Sequence, residues 1–117
     1  YDVRTTLKKE QDSDTYLKLI NMNDGFSFMV QEYYFIGEDN SIGRDERNTI
    51  SINDKYLSKF HARILQDENM YFLEDLKSAN GTYLNDEKII DAIELKSGDI
   101  IRLGSLKFLF IQGDSDE

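Results

Sequence analysis

The sequence contains no cysteine, no proline, no tryptophan and only one histidine. Without cysteine the chain forms no disulfide and offers no thiolate to a metal ion. A single histidine without cysteine also argues against a transition-metal site. The missing cysteines fit a reducing compartment, in which disulfides do not persist.

Long apolar runs are missing as well. No segment approaches the roughly 18 apolar residues that span a bilayer, and no signal-peptide pattern is present. The sequence begins at Tyr1 without a methionine. This start leaves room for an upstream segment, and a membrane anchor could lie there.

Positive charge is scarce, because 14 Lys and Arg residues stand against 23 Asp and Glu residues for a net charge of -9. Nucleic acid is therefore not expected as a partner, since that contact needs a basic footprint. Residues 43–60 are the exception, with four cations against three carboxylates, so the rest of the chain sums to -10. That stretch can still bind an anion, because carboxylates beyond ~8 Å are screened at physiological salt.

Short apolar segments separated by polar turns make up most of the chain. Its 117 residues predict one domain over residues 15–113, with polar tails at 1–14 and 114–117. Turn signals recur about every 8–12 residues and no helix is convincing, which favours ten or eleven short strands in a β-sandwich or barrel. The segments that read as strands are 16–20, 26–35, 48–53, 61–66, 70–74, 82–84, 88–90, 100–103 and 106–111.

Four short motifs follow one another across residues 43–104, and the first is Gly43-Arg44. The arginine guanidinium is always charged, and its planar fork matches phosphate oxygens. The glycine allows a close approach of the backbone. Alone, the pair is more simply explained by a solvated arginine, because such short motifs often match by chance.

The second motif is the segment 57–64, which contains Ser58, Lys59 and His61. A serine hydroxyl can donate to a phosphate oxygen and a lysine adds a point charge, although a polar loop before a strand explains both. Ser58 and His61 could also form the nucleophile and base of a small hydrolase. However, residues three apart face opposite sides of an extended segment, and no oxyanion loop or orienting carboxylate is evident. We interpret His61 as a structural residue bonded to loop backbone.

The third and fourth motifs, 75–85 and 97–104, are rich in turn residues. Asn80-Gly81 is a favoured turn pair because both residues tolerate positive φ, and an asparagine at a loop apex can also contact a bound backbone. Gly98 and Gly104 are interpreted as structural. Residues 21–25 faintly suggest a calcium loop, but the flanking helices and the terminal glutamate are missing.

The order and spacing of the four motifs resemble those of a forkhead-associated (FHA) domain, over about residues 15–112. The resemblance implies an all-β, eleven-stranded β-sandwich with its binding loops at one end. It also implies a phosphoprotein-binding module that recognises phosphothreonine peptides in Ser/Thr-kinase signalling. The resemblance does not imply an enzyme. The expected partners are phosphothreonine-containing proteins and kinase substrates, with no cofactor, metal or nucleic acid, in the cytoplasm. The alternative is an FHA fold that scaffolds a partner independently of phosphate.

Site roles follow from the resemblance, residue by residue. Arg44 is expected to grip the phosphate, Ser58 to donate a hydrogen bond to it, and Lys59 to lie near it. Asn80 is expected to contact the peptide backbone around the phosphothreonine. The residues expected to hold the loops in shape are Gly43, His61 and Gly81.

Selectivity beyond the phosphate is expected from the loop tips. Ala79 departs from the serine, threonine or arginine that many family members carry there, which removes one side-chain contact. The residues expected to contribute to specificity are Tyr56, Lys77, Ser78, Ala79 and Asn85.

Thr5 and Thr6, in the N-terminal tail, suggest a further hypothesis. Some FHA proteins carry phosphorylatable threonines in such a tail. Once phosphorylated, either residue could occupy the chain's own site at an effective concentration near millimolar. A featureless terminus explains the same residues.

Overall fold

The structure is a computed structural model that describes residues 15–20 and 31–113. These residues form eleven β-strands and no helix, so the described ranges include no helix able to cross a membrane. The strands are β1 (Tyr16–Ile20), β2 (Glu32–Tyr34), β3 (Asp39–Gly43), β4 (Ile50–Ser51), β5 (Ala62–Asp67), β6 (Met70–Asp75), β7 (Thr82–Leu84), β8 (Glu87–Lys88), β9 (Ile93–Leu95), β10 (Ile100–Leu103) and β11 (Leu106–Ile111). The predicted tails and the Thr5–Thr6 hypothesis lie outside the described residues.

The strands form two sheets. The first sheet has six strands in the order β2-β1-β11-β10-β7-β8, and every neighbouring pair is antiparallel. The second sheet has five strands in the order β4-β3-β5-β6-β9, and only β3 and β4 run parallel. The predicted all-β sandwich of about eleven strands is confirmed.

The core lies between the sheets because inward-facing side chains alternate along each strand. Phe108 and Phe110 of β11 are completely buried. The Phe110 ring meets Tyr71 of the second sheet at a centroid distance of 5.5 Å and Phe35 at 6.3 Å. Edge and offset ring contacts at such distances stabilise a core beyond the area that they bury. These rings therefore join the two sheets.

Two strands, β3 and β9, lie outside the segments predicted as strands. β3 is polar in sequence, and its Asn40 is only 1% exposed. The Asn40 side chain accepts a hydrogen bond from the Ile36 amide (2.8 Å) and donates one to the Gly37 carbonyl (3.3 Å). Pairing with β5 therefore overrides the weak strand propensity of this segment.

Phe110→Ala should lower the free energy of unfolding by about 3–5 kcal/mol, because truncating a buried phenylalanine loses its burial and leaves a cavity. Ile90→Ala is the matched control, since Ile90 is 90% exposed and its truncation should cost less than about 0.5 kcal/mol. Urea titrations followed by circular dichroism give both values. Equal midpoints for the two variants would contradict this account of the core.

Candidate functional site

Three loops meet at one end of the sandwich: the first loop (44–49), the second loop (52–61) and the third loop (76–81). The Arg44 amide donates to the Ser58 carbonyl (3.0 Å), which joins the first loop to the second. The Ala79 amide donates to Ser58 Oγ (2.9 Å), which joins the third loop to the second. Ser58 therefore lies where all three loops touch.

Gly43 and Asn48 bring the first loop close against the second. A Cβ atom on Gly43 would lie 2.2 Å from the Lys59 carbonyl oxygen, so no larger residue fits without moving the backbone. Asn48 Nδ2 donates to the carbonyls of Asp45 and Lys59, both at 2.7 Å. The side chain of Asn48 thus bridges the two loops through their backbones.

His61 is completely buried and connects the second loop to the third. Its Nδ1 accepts a hydrogen bond from the Ser58 amide (3.1 Å), and its Nε2 lies 2.9 Å from the Gly81 carbonyl. Since Nδ1 is an acceptor, the ring proton is on Nε2 and is donated to Gly81. His61 therefore contacts backbone on both sides and cannot serve as a base for the Ser58 hydroxyl.

Asp75, at the end of β6, organises the third loop. Its carboxylate accepts hydrogen bonds from the Ser78 and Thr82 hydroxyls, both at 2.6 Å, and from the Ser78 amide at 3.1 Å. Ser78 Oγ in turn accepts from the Gly81 amide (2.9 Å). Burial raises the pKa of Asp75, but the hydrogen bonds from Ser78 and Thr82 outweigh it, so the net pKa is lower than the ordinary value.

Three of the predicted ligand-binding side chains keep polar groups that these internal bonds do not use. Arg44 is exposed, and Nε donates to the Leu57 carbonyl (3.2 Å), while its two terminal nitrogens donate to none of the described residues. Ser58 Oγ accepts from Ala79 and keeps its own proton to donate. Asn80 Nδ2 donates to the Tyr56 carbonyl (2.8 Å), which leaves its oxygen free to accept. Two donors and one acceptor on three different loops are therefore not used by the hydrogen bonds within the loops.

The carboxylate of Asp45, which directly follows Arg44 in the chain, is bound by another arginine. Asp45 makes a two-pronged pair with Arg47, at 2.9 Å and 3.0 Å. The hydrogen bond from Arg47 holds the pKa of Asp45 well below its usual range, and the charge of Lys59 lowers it further. Arg44 therefore keeps its charge for a ligand, with the exposed Lys59 nearby.

Comparisons with known proteins identify the family. The family model for the FHA domain matches residues 40–104. This chain belongs to the FHA domain family. FhaB of Mycobacterium tuberculosis, an FHA domain-containing protein, is 38% identical over 63 residues, which are 54% of this chain and 41% of FhaB. The chain thus matches less than half the length of this curated relative.

Solved FHA structures extend the likeness over most of the chain. One, from a structural and functional analysis of phosphothreonine-dependent FHA domain interactions, is 29% identical, has a TM-score of 0.74, and covers 87% of this chain and 98% of its own. Mycobacterium tuberculosis EmbR in complex with a low affinity phosphopeptide is 25% identical, with a TM-score of 0.72, and covers 98% of this chain and 30% of EmbR. The eleven-stranded sandwich is therefore the FHA fold.

The residues predicted to contribute to specificity differ in their exposure and in their hydrogen bonds. Tyr56 is 49% exposed, and Lys77 and Ala79 are exposed on the third loop. Ser78 already donates its hydroxyl proton to Asp75, so its geometry is that of a loop support. All three predicted loop supports, Gly43, His61 and Gly81, lie at contacts between loops.

Asn85 is the predicted site residue that the FHA fold does not bring to the three loops. It lies at the far end of β7 from the third loop. Its side chain donates to Asp99 (3.0 Å) and accepts from the Ile100 amide (2.9 Å). Both ends of the amide are therefore used in holding the start of β10.

Sequence reasoning did not single out Asn48 or Asp75. Asn48 has its second partner 11 positions away at Lys59, and no local pattern reveals such a contact. Asp75 directly precedes the turn-rich segment 76–81, and aspartate side chains commonly hydrogen-bond the backbone of a following turn. An aspartate at the start of a turn-rich segment is the signal from which Asp75 could have been found.

Acid should destabilise this FHA domain partly through Asp75. A folded pKa below the ordinary 3.8 means that the unfolded chain binds more protons in that range, so the stabilisation is present above about pH 4 and is lost as the pH falls through the folded pKa. In Asp75→Asn this loss should be absent. The variant should be about 1–3 kcal/mol less stable at neutral pH, because asparagine offers one acceptor oxygen to the donors of Ser78 and Thr82 where aspartate offers two, and its NH2 group cannot accept.

Urea midpoints measured from neutral pH to about pH 3 test this. Asp91→Asn removes a carboxylate at an exposed position and is the matched control, expected to follow the wild type. If Asp75→Asn and the wild type lost stability in parallel on acidification, Asp75 would not be the group responsible.

Proposed function

We propose that this FHA domain is a phosphothreonine-reading module that binds substrates of a Ser/Thr kinase. The observation that carries the proposal is the convergence of unused polar groups from Arg44, Ser58 and Asn80 on one surface. An arginine fork and a hydroxyl donor suit a phosphate. An amide oxygen beside them suits the N–H groups of a peptide backbone. EmbR of Mycobacterium tuberculosis, which is similar to this chain and was solved with a low affinity phosphopeptide, supports the same interpretation.

The rigidity of the three loops favours binding. Their backbones are bonded to one another through Ser58, Asn48 and His61 before any ligand arrives. Little conformational entropy is then lost when a peptide is held, which leaves more of the contact energy for affinity. This is the behaviour of a binding module. A hydrolase would need a free base, and both nitrogens of His61 are occupied by backbone.

The direct test compares matched peptides. A library of peptides with a fixed phosphothreonine and random flanks is enriched on the immobilised domain. The best binder is then titrated by calorimetry beside its unphosphorylated form. We expect measurable binding of the phosphorylated peptide alone, because phosphothreonine brings nearly two negative charges at neutral pH. Equal binding of both forms would favour the phosphate-independent scaffold instead.

Arg44→Ala should weaken phosphopeptide binding by about 2–5 kcal/mol, because a charge-assisted contact to phosphate is lost. Arg44→Lys should recover only part of this, since lysine lacks the two-pronged fork. Lys96→Ala removes one positive charge from a side chain that is 73% exposed and paired with Glu94, and should leave affinity within about twofold. Unchanged affinity in Arg44→Ala, with an unfolding midpoint near wild type, would remove Arg44 from the site.

A further inference from the structure

The outer face of the first sheet carries a row of cations that the phosphate site does not use. Register pairs Lys88 of β8 with Tyr83 of β7. It also pairs Arg102 of β10 with both Tyr83 and Lys107 of β11. Directly paired residues of antiparallel strands share a face, so these four side chains form one line across four neighbouring strands. We call this line the basic row.

The basic row points away from the core. Ile101 directly precedes Arg102 in β10, and Phe108 directly follows Lys107 in β11; both are fully buried. Because side chains alternate along a strand, Arg102 and Lys107 face outward. Lys88 is exposed, and the remaining members are partly exposed. The row is thus accessible to a partner.

The charges of the row are not neutralised by the described part of the chain. Arg102 stacks on Tyr83 with its guanidinium carbon 3.9 Å from the ring centroid, and donates to the Gly104 carbonyl (3.1 Å). These contacts orient the arginine without cancelling its charge. None of the three cations forms an ion pair with a carboxylate within residues 15–20 and 31–113.

Composition does not predict such a face. The chain as a whole has 23 acidic and 14 basic residues. On the outward positions of the described strands of the first sheet, Lys18 joins the three cations of the row, and Glu32 is the one carboxylate. This positive face is electrostatically complementary to an anionic partner, and it presents few carboxylates that would repel the partner.

The basic row starts next to the phosphate site. A Cβ atom on Gly81 would lie 3.2 Å from Lys88 Cε, and Gly81 directly follows Asn80. Gly104, which accepts a hydrogen bond from Arg102, also packs against Tyr56: a Cβ atom on Gly104 would lie 2.7 Å from the Tyr56 carbonyl oxygen. That same carbonyl accepts the hydrogen bond from Asn80. A peptide held at Asn80 can therefore continue onto the row.

We propose that the basic row binds an acidic segment of the phosphorylated partner, contiguous with the phosphothreonine. The row crosses three strand spacings of ~4.8 Å, or about 14 Å, which an extended peptide covers with about four to five residues. Exposed charge pairs are individually weak, but the anchored phosphothreonine supplies the segment at about millimolar effective concentration. This inference rests on the proposed function.

The test uses one phosphothreonine peptide in three matched lengths: unextended, extended by five glutamates, and extended by five glutamines. Both extensions are made on the N-terminal side in one set and on the C-terminal side in another. We expect one glutamate extension to bind about tenfold tighter than its glutamine counterpart at low salt. The gain should shrink as salt screens the exposed charges.

Paired variants locate the effect. Lys88→Gln with Lys107→Gln should remove most of the glutamate gain, since only Arg102 of the three cations remains, and should leave the unextended peptide unaffected. Arg63→Gln with Lys96→Gln removes the same charge from the second sheet and its flanking loop, where both residues are ion-paired. That control should keep the gain. Unfolding midpoints verify that each variant is folded.

The outcomes separate the two proposals. Failure of every phosphopeptide to bind would overturn the proposed function itself. Normal binding of the unextended peptide with no glutamate gain on either side would overturn the basic row alone. Binding to phosphatidylserine vesicles that the Lys88 and Lys107 changes abolish, without any glutamate gain, would reassign the face to a lipid surface and also overturn the proposal.

Discussion

The binding end of the molecule depends on one buried imidazole. His61 accepts from the Ser58 amide and donates to the Gly81 carbonyl, 20 positions away. Because the ring is fully buried, loss of either bond would leave a polar group unsatisfied, at a cost of about 1–3 kcal/mol. The second and third loops are therefore held at a set separation, and Ser58 and Asn80 are placed relative to each other before a ligand arrives.

The remaining contacts extend that constraint to the first loop. Arg44 is bonded through its backbone to Ser58, and Gly43 lies against the Lys59 carbonyl where no Cβ could fit. Internal bonds use most of the polar capacity of the loops. Among the groups that stay available are the terminal nitrogens of Arg44, the hydroxyl proton of Ser58 and the amide oxygen of Asn80, and their chemistry suits a phosphorylated peptide.

Local charge differs from the net charge at two places on the surface of this acidic FHA domain. Asp45 would compete for Arg44 if it were free, but Arg47 binds it at 2.9 Å. On the neighbouring sheet face, carboxylates are nearly absent from the described outward positions, and Lys88, Arg102 and Lys107 line up instead. Two local positive surfaces thus coexist with a net charge of -9. Screening over ~8 Å allows this, because the distant carboxylates hardly reach either surface.

The amino-acid sequence alone was enough to predict an all-β fold and to name candidate residues for the proposed phosphate site. Alternation and turn residues are local signals, and the roles expected of Arg44, Ser58 and Asn80 followed from the resemblance of the four motifs to those of an FHA domain. The sequence did not predict β3, whose polar residues form a strand by pairing with β4 and β5. Nor did it predict the Asn48 bridge or the basic row, whose outermost members are 19 positions apart. Those features come from sheet register and loop packing, which are set by contacts between distant segments and leave no periodicity in the chain.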